Sequence, residues 1–124
     1  IKKVKQANKG DFSLDVLIPY MKKIKFNQGD LLFRKGDIAT KLYLVGEGTI
    51  RLVEIQKTVT KGDLIGEMGV FSPYKERTAT ALCQTNGEIY VVSEEKIFQL
   101  YYQNPAFGFY LMQLIIKRFL KNTK

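Results

Sequence analysis

The sequence predicts a mainly β fold, namely a β jelly roll preceded by a helical segment and followed by two helices. Short apolar strands recur between residues 24 and 93, and turns containing Gly, Asp or Asn separate them. Strands at intervals of about 8–12 residues are typical of sandwiches, jelly rolls and barrels. Helical spacing of apolar residues is found only towards the two ends. The length of 124 residues fits one domain, which we assign to 1–124.

The N-terminal segment, residues 1–23, is predicted to be a polar arm followed by a short helix. Ser13 is a candidate N-cap for that helix. Pro19 should end or kink the helix early, because proline cannot donate a main-chain hydrogen bond. The apolar face of the helix repeats at helical spacing and consists of Leu14, Leu17, Ile18 and Met21.

The β-roll is predicted to span residues 24–93. The Asn86-Gly87 pair before the last strand is a hairpin signal, so we expect the last two strands to be joined by a hairpin turn. Glycine-containing turns should form the other corners of the roll. We place the strands at 24–26, 31–33, 42–45, 50–52 with an extension to 55 left open, 58–60, 80–83 and 89–92.

Two helices are predicted over residues 94–121. Glu94 and Glu95 suit the positive end of a helix dipole. Asn104 and Pro105 start the last helix, with Asn as N-cap and Pro in the first helical position. This last helix is apolar on almost every face, and one contact with the roll cannot bury all of it. We therefore expect it to form a subunit contact in a homodimer as well.

The composition excludes several classes of function. The chain has no histidine, which removes His-based catalysis, Ser–His triads and His-ligated metal sites, and we predict no metal site. The single cysteine, Cys83, cannot form an intramolecular disulfide and fits a reducing, cytoplasmic compartment. No apolar run reaches the ~18 residues of a membrane span. The chain begins with Ile1 rather than Met, and we interpret it as a fragment of a larger protein.

The net charge of +8 is concentrated at the ends of the chain. Residues 26–116 carry nine basic and ten acidic side chains, so the body of the domain is nearly neutral. A nucleic-acid-binding domain would more often spread Lys and Arg over one face, and nucleic acid is not an expected partner. The basic ends are interpreted as solvated helix ends or linkers. A weak contact with an acidic partner or a membrane surface is the alternative.

The segment most informative about function is residues 64–81. It reads Leu-Ile-Gly-Glu-Met-Gly-Val-Phe, then a short loop, then Arg-Thr-Ala-Thr-Ala. Two glycines around Glu67 allow a tight turn and close backbone approach, and the amides opening the short helix that follows favour an anion. Arg77 supplies a fixed cation and Thr78 a hydroxyl group. A carboxylate beside an anion site suits a sugar hydroxyl, so the set fits a phosphorylated ribose.

With this segment in place, the chain resembles the cyclic-nucleotide-binding domain family. The most specific part of the resemblance is the phosphate-binding cassette, residues 64–81, in which Gly-Glu is followed by small or apolar residues, a loop and Arg-Thr-Ala. The turns and strands match in order and spacing as well. Outside the cassette the matching residues are Gly29-Asp30, Phe33, Gly36-Asp37, Leu42-Tyr43, Gly48 and Gly62-Asp63.

The resemblance implies a role for each cassette residue. Glu67 and the main chain of Gly66 would hold the ribose 2′-hydroxyl. Arg77 would pair with the cyclic phosphate, helped by the N–H groups of Gly69 and Thr78. An internal salt bridge between Glu67 and Arg77, and a plain strand role for Thr78, are the structural alternatives.

The resemblance also implies roles for residues around the phosphate. Met68 and Val70 would be the apolar part of the cassette, and Val70 would touch the mobile helices. Arg118 would cap the purine from the last helix, although a solvated charge at a helix end is an equal alternative. The family often has Ala-Leu where this chain has Gly69-Val70. Glu76 is a second departure, because its carboxylate could compete for the neighbouring guanidinium.

The function that these expectations imply is that of a sensor and not an enzyme. The ligand would be cAMP rather than cGMP, with no further cofactor. Binding would move the last helices and pass the signal to an output domain outside this fragment or to a second subunit. One alternative is a degenerate roll that binds no nucleotide and serves as an interaction module. A cupin-like enzyme is disfavoured, because such sites need imidazole ligands and the chain has none.

Overall fold

The computed structural model describes residues 14–122, apart from the side chains of residues 14–16, 118, 119, 121 and 122. The polar arm predicted before residue 14 lies outside the described residues. The chain contains a 3₁₀ helix, eight strands and three α-helices within this range. Their bounds are Leu14–Tyr20 (3₁₀), Lys22–Phe26 (β1), Leu31–Phe33 (β2), Lys41–Glu47 (β3), Ile50–Leu52 (β4), Lys57–Val59 (β5), Leu64–Ile65 (β6), Glu67–Phe71 (α1), Ala81–Cys83 (β7), Gly87–Ser93 (β8), Glu94–Gln103 (α2) and Pro105–Asn122 (α3).

The eight strands form two four-stranded antiparallel sheets, in the orders β1-β8-β3-β6 and β2-β7-β4-β5. This arrangement confirms the predicted jelly roll with flanking helices. The inner faces of the sheets meet in one apolar core. Its buried members are Phe26, Val45, Ile65 and Ile89 from the first sheet and Phe33, Ile50, Val59, Ala81 and Cys83 from the second.

A second core lies on the outer face of the first sheet, where the helices cover it. Side chains alternate along β3, so Leu42 and Leu44 belong to this helical core while Val45 belongs to the core between the sheets. The helices pack on only one of the two sheets. The first sheet and α1 are therefore the parts of the roll that contact the C-terminal helices directly. The helical side contributes Leu17, Val70, Ile97, Leu111 and Leu114.

Three Gly-Asp turns form corners of the roll, as the sequence predicts. Gly29 has φ +95°, a conformation that glycine adopts without strain. The carboxylate of Asp30, next in the chain, accepts a hydrogen bond of 2.8 Å from the N–H of Asn27. The same bond recurs at the other two corners, from Arg34 to Asp37 at 2.9 Å and from Thr60 to Asp63 at 2.9 Å.

The hairpin predicted at Asn86-Gly87 is wrong. β7 belongs to the second sheet and β8 to the first, so the chain crosses between the sheets here. A type I′ hairpin needs positive φ at both central residues, and neither residue has it. Gly87 is required for space instead, because a Cβ there would lie 2.1 Å from the Glu47 carbonyl oxygen and 2.5 Å from the Phe26 ring.

The other differences from the predicted elements are smaller. β6 was not predicted, because two residues are too short to show a period of two. The fourth strand ends at Leu52 and does not extend to residue 55, and the fifth begins one residue earlier than expected. The first helix is a 3₁₀ helix that includes Pro19 and ends at Tyr20.

Both C-terminal helices begin with a side-chain cap, and the one at Asn104 is as predicted. The Ser93 hydroxyl accepts a hydrogen bond from the Lys96 N–H at the start of α2, and Asn104 Oδ1 accepts one of 3.3 Å from Phe107 N–H at the start of α3. Gly108 lets the helices approach closely, because a Cβ there would lie 1.9 Å from the ring of Tyr101 on α2. None of the described helices is long and apolar enough to cross a membrane.

Candidate functional site

The candidate site is built around Arg77, which lies in an extended segment between α1 and β7. Its main chain is fixed from both sides, because its N–H donates to the Asp37 carbonyl at 2.8 Å and its carbonyl accepts from Gly36 N–H at 2.9 Å. Side chains alternate in this segment, so the neighbours Glu76 and Thr78 are exposed while Arg77 is only 4% exposed. The local backbone therefore turns the one arginine of the cassette inwards.

The guanidinium of Arg77 lies between two aromatic rings and two main-chain carbonyls. Its Cζ is 4.2 Å from the centroid of Phe33 and 5.5 Å from that of Tyr43, so the cation sits over both rings. Nη1 donates to the Gly66 carbonyl at 3.2 Å and Nη2 to the Lys41 carbonyl at 2.9 Å. The buried Nε has no hydrogen-bond partner within the part of the chain that the structure describes.

Burial dominates the electrostatics of this arginine. Loss of solvation lowers the pKa of Arg77, and attraction to Tyr43 and Asp37 partly offsets that shift. The side chain nevertheless stays charged, because arginine does not lose its proton in proteins. Burial also raises the pKa of Tyr43, against the opposing effect of the arginine. A buried cation with an unsatisfied N–H group is a strong receptor for a small anion.

Gly66 lies directly beside this cation, and Glu67 follows it in the chain. Gly66 precedes α1 with φ +93°, and a Cβ at this position would lie 2.5 Å from Arg77 Nη1. A larger residue would therefore push the guanidinium away. Glu67 occupies the first turn of α1 and is 8% exposed, so the predicted ribose-binding carboxylate is buried at the same end of the roll. The structure places Gly66 against Arg77, whereas the role of Glu67 towards a ribose stays a prediction.

Gly69 and Val70 connect the site to the rest of the fold. A Cβ on Gly69 would lie 2.7 Å from the Ala39 Cβ and 2.9 Å from the Glu76 carbonyl oxygen, so α1 packs very closely on its surroundings. Val70 is buried in the helical core with residues of α2 and α3, which is where its predicted role requires it. Met68 is 47% exposed and lies on the outer side of α1.

Two expected site residues are not placed at the cation. Thr78 is exposed, and its roles towards a phosphate or a base stay predictions. The side chain of Arg118 lies outside the described part of the chain, so its role as a purine cap stays a prediction too. Glu76 is exposed, whereas the adjoining guanidinium is buried and hydrogen-bonded to carbonyl oxygens.

Sequence reasoning missed the aromatic walls of the site. Phe33 and Tyr43 pack against each other with ring centroids 5.7 Å apart, and the guanidinium lies against both. Phe33 lies 44 positions before the arginine, so no local spacing connects the two residues. In the sequence, Phe33 and Tyr43 stand only as residues outside the cassette that match the family, with no role in the site. A search for aromatic residues at the strand ends facing the cassette could have found them.

Comparison with known proteins decides the family. Residues 23–104 match the family model described as the cyclic nucleotide-binding domain, which is more than half of the chain. The chain belongs to the cyclic-nucleotide-binding domain family. The match includes both sheets, α1 and the cassette arginine, and it ends at the N-cap of α3.

The similar proteins combine this domain with different neighbours. The chain is 27% identical to the cyclic AMP receptor protein of Thermus thermophilus, covering 85% of this chain and 52% of that protein. It is 33% identical to a patatin-like phospholipase domain-containing protein of Caenorhabditis elegans, covering 85% of this chain and 7% of that protein. The structure matches the N-terminal domain of a transcriptional regulator from Streptomyces coelicolor with TM-score 0.70, 26% identity and coverage of 94% and 88%. The chain thus spans about half or less of these curated relatives.

Proposed function

We propose that this domain binds a cyclic nucleotide, cAMP rather than cGMP, and acts as a regulatory sensor rather than as an enzyme. The observation that carries the proposal is the buried Arg77, whose Nε has no partner among the described residues and whose other bonds go to main-chain carbonyls. A phosphate brings the negative charge and the acceptor oxygens that this group needs. Membership of the family supports the same ligand class.

The geometry also supports the assignment of the sugar. Gly66 holds the start of α1 against the cation, and Glu67 follows within the first turn. A cyclic nucleotide carries its phosphate and its 2′-hydroxyl on the same ribose. One ligand can therefore reach Arg77 with the phosphate and Glu67 with the hydroxyl group.

The test is calorimetric titration of the domain with cAMP and cGMP. Arg77→Leu should weaken binding by about 2–5 kcal/mol, or roughly 30- to 5,000-fold, because the phosphate loses its buried cation. Arg34→Leu is the matched control, since Arg34 is an exposed arginine in the turn after β2. Equal affinity of the wild type and Arg77→Leu would refute the site. Absence of binding to the wild type would leave the interaction module that binds no nucleotide.

The choice between the two bases is tested at Thr78. The hydroxyl of Thr78 is exposed and could accept a bond from the 2-amino group of a guanine, which adenine lacks. We expect Thr78→Ala to weaken cGMP binding by about 0.5–1.5 kcal/mol more than cAMP binding, the value of one hydrogen bond. A larger loss for cAMP would show that the hydroxyl serves the phosphate instead.

We further propose that the last helix passes the signal on, as a contact with a second copy or with an output domain outside this chain. Four large apolar side chains of α3 are about half exposed, and they recur at spacings of three and four residues: Phe109, Met112, Ile116 and Leu120. A stripe at these spacings is suited to packing against another helix. The same helix buries Leu111 and Leu114 in the helical core. The helix α3 would therefore connect the roll to the partner that packs on its exposed apolar stripe. We also propose that the domain is cytoplasmic, because its single cysteine fits a reducing compartment.

A further inference from the structure

The loop between α1 and Arg77 carries a lysine that reaches two different elements. Lys75 Nζ donates to the Val70 carbonyl at 3.1 Å, and it forms an ion pair with the Glu94 carboxylate. Val70 lies in the last turn of α1, where carbonyl groups lack helical partners. Glu94 is the first residue of α2. One ammonium group therefore joins the end of the cassette helix to the beginning of the C-terminal helices.

The backbone around Lys75 is tied to the phosphate-binding arginine. Ala39 N–H donates to the Lys75 carbonyl at 2.8 Å, while the N–H of Arg77 donates to the Asp37 carbonyl at 2.8 Å. Lys75 and Arg77 are thus held on the same neighbouring segment, two residues apart. We therefore expect a shift of the Arg77 main chain to be passed on to Lys75.

The conformation of Lys75 fixes the direction of its side chain. Its φ of +56° is uncommon for a residue other than glycine. Its N–H donates to the Ser72 carbonyl at 3.2 Å, which closes the turn after α1. The partner is held as well, because the Glu94 N–H donates to the Thr40 carbonyl at 2.8 Å. Both charged side chains are partly buried, with exposed fractions of 35% and 25%.

We propose that Lys75 is the positioning residue through which the cassette sets the position of α2. The inference rests on the proposed function for the identity of the ligand. Val70 supplies an apolar connection between α1 and the helical layer, and the Lys75–Glu94 pair supplies a polar one at the other end of the same loop. Since coupling between two sites is reciprocal, loosening this pair should change both helix order and nucleotide affinity.

The ligand-free protein gives the first readout. Amide exchange in the first turn of α2 should become about 2- to 5-fold faster in Lys75→Met and in Glu94→Gln, a factor that corresponds to a partly exposed ion pair. Methionine keeps an unbranched side chain up to the ε position but lacks the ammonium group, and it faces the same backbone constraint. Glu95→Gln is the matched control, because Glu95 lies in the same turn of α2 but is exposed.

The second readout is calorimetric titration with cAMP. Both variants should bind about 2- to 5-fold more weakly than the wild type, and the ligand-induced protection of α2 and α3 should decrease. Combining Lys75→Met with Glu94→Gln should add little to either single change. Lys75→Arg should restore both affinity and protection, which a purely steric role would not explain.

The outcomes separate this inference from the proposed function. If Lys75→Met and Glu94→Gln behave like Glu95→Gln in exchange and in affinity, the positioning role is refuted while nucleotide binding stands. If the wild type binds neither cAMP nor cGMP, the proposed function fails. Exchange in the ligand-free protein then still decides whether Lys75 positions α2.

Discussion

The guanidinium of Arg77 lies 4.2 Å from the centre of the Phe33 ring, which places the cation of the cassette on an aromatic side chain of β2. Such a contact contributes about 0.5–2 kcal/mol, more where water is excluded. We expect Phe33→Leu to weaken cAMP binding by roughly 2- to 30-fold, because the guanidinium loses the ring that orients it. Calorimetric titration measures the change.

The matched control for Phe33→Leu is Phe26→Leu. Phe26 belongs to the same core between the sheets but is not one of the two rings under the guanidinium. Both substitutions should lower the free energy of unfolding, since each removes buried apolar volume. Only the first should change nucleotide affinity. Equal losses of affinity in the two variants would mean that the effect comes from general loosening of the roll.

Gly69 tests how closely the cassette helix is packed. Alanine would favour the helix by about 1 kcal/mol, but its Cβ would lie 2.7 Å from the Ala39 Cβ and 2.9 Å from the Glu76 carbonyl oxygen. Overpacking of this kind costs about 1–3 kcal/mol, so Gly69→Ala should be destabilising despite the better helix former. Denaturant unfolding measures the change. The double variant Gly69→Ala with Ala39→Gly should recover part of the loss, and a stabilised Gly69→Ala would contradict the packing.

A carboxylate at the far end of the cassette predicts a dependence of stability on pH. Glu54 accepts hydrogen bonds from the N–H of Thr80 at 2.6 Å and from its hydroxyl at 2.7 Å. The main-chain bond is the largest cause that lowers the pKa of Glu54. A lowered folded-state pKa stabilises the fold above the unfolded-state pKa of roughly 4.3. That contribution is lost as the pH falls through the lower value.

Thermal unfolding of Glu54→Gln checks this dependence. The variant should have a lower Tm than the wild type at about pH 7 and a smaller difference at acidic pH, because the stabilising effect is lost as the pH falls through the lowered pKa of the carboxyl group. Glu54 is exposed, so solvent keeps the effect small. Glu47→Gln, at the exposed end of β3, provides the control. A Tm difference that stays the same at both pH values would argue against the ionised hydrogen bonds.

The sequence was sufficient for most of the fold because the local signals agree with the tertiary structure. Gly29 and the two other Gly-Asp corners have the positive φ that their position requires. Asn104 and Pro105 begin α3 as their types predict. The prediction of a hairpin at Asn86-Gly87 is wrong, because the same dipeptide is compatible with a hairpin turn and with a crossing between the sheets. Only the closeness of Glu47 and Phe26 to Gly87 distinguishes the two, and that closeness is tertiary.

The candidate site likewise contains residues that the sequence predicts and residues that only the tertiary structure brings in. Gly66 and Arg77 are contained in one short motif, and the structure places them in contact. The ring of Phe33 comes from β2, which is far from the cassette arginine in sequence and pairs with β7, so its part in the site depends on the pairing of these two strands. Lys75 has a positive φ, which its residue type does not predict. Its contacts with Val70 and Glu94 could therefore not be inferred from the sequence.

Gly108 provides a test of why the last helix begins with a weak helix former. A mid-helix glycine costs about 1 kcal/mol relative to alanine, which would suit a helix that must undock. The structure gives a packing reason as well, since a Cβ would lie 1.9 Å from the Tyr101 ring. Gly108→Ala should therefore fail to stabilise the domain in denaturant unfolding. Gly108→Ala with Tyr101→Ala should show the gain in helix propensity, and a stabilised single variant would favour the undocking explanation alone.

The last prediction is that α3 is both the moving element and a contact surface. Adding cAMP should slow amide exchange in residues 105–121 more than in residues 42–53, because the strands are already held in the roll. Ile116→Asp should shift any dimer to monomer in sedimentation equilibrium, since Ile116 is 51% exposed on the apolar stripe. Ile115 is less suitable, because it packs against the helical core and an aspartate there would destabilise the fold as well. If exchange in α3 ignores the nucleotide and Ile116→Asp leaves the mass in solution unchanged, then α3 is a static cap and the proposed relay is wrong.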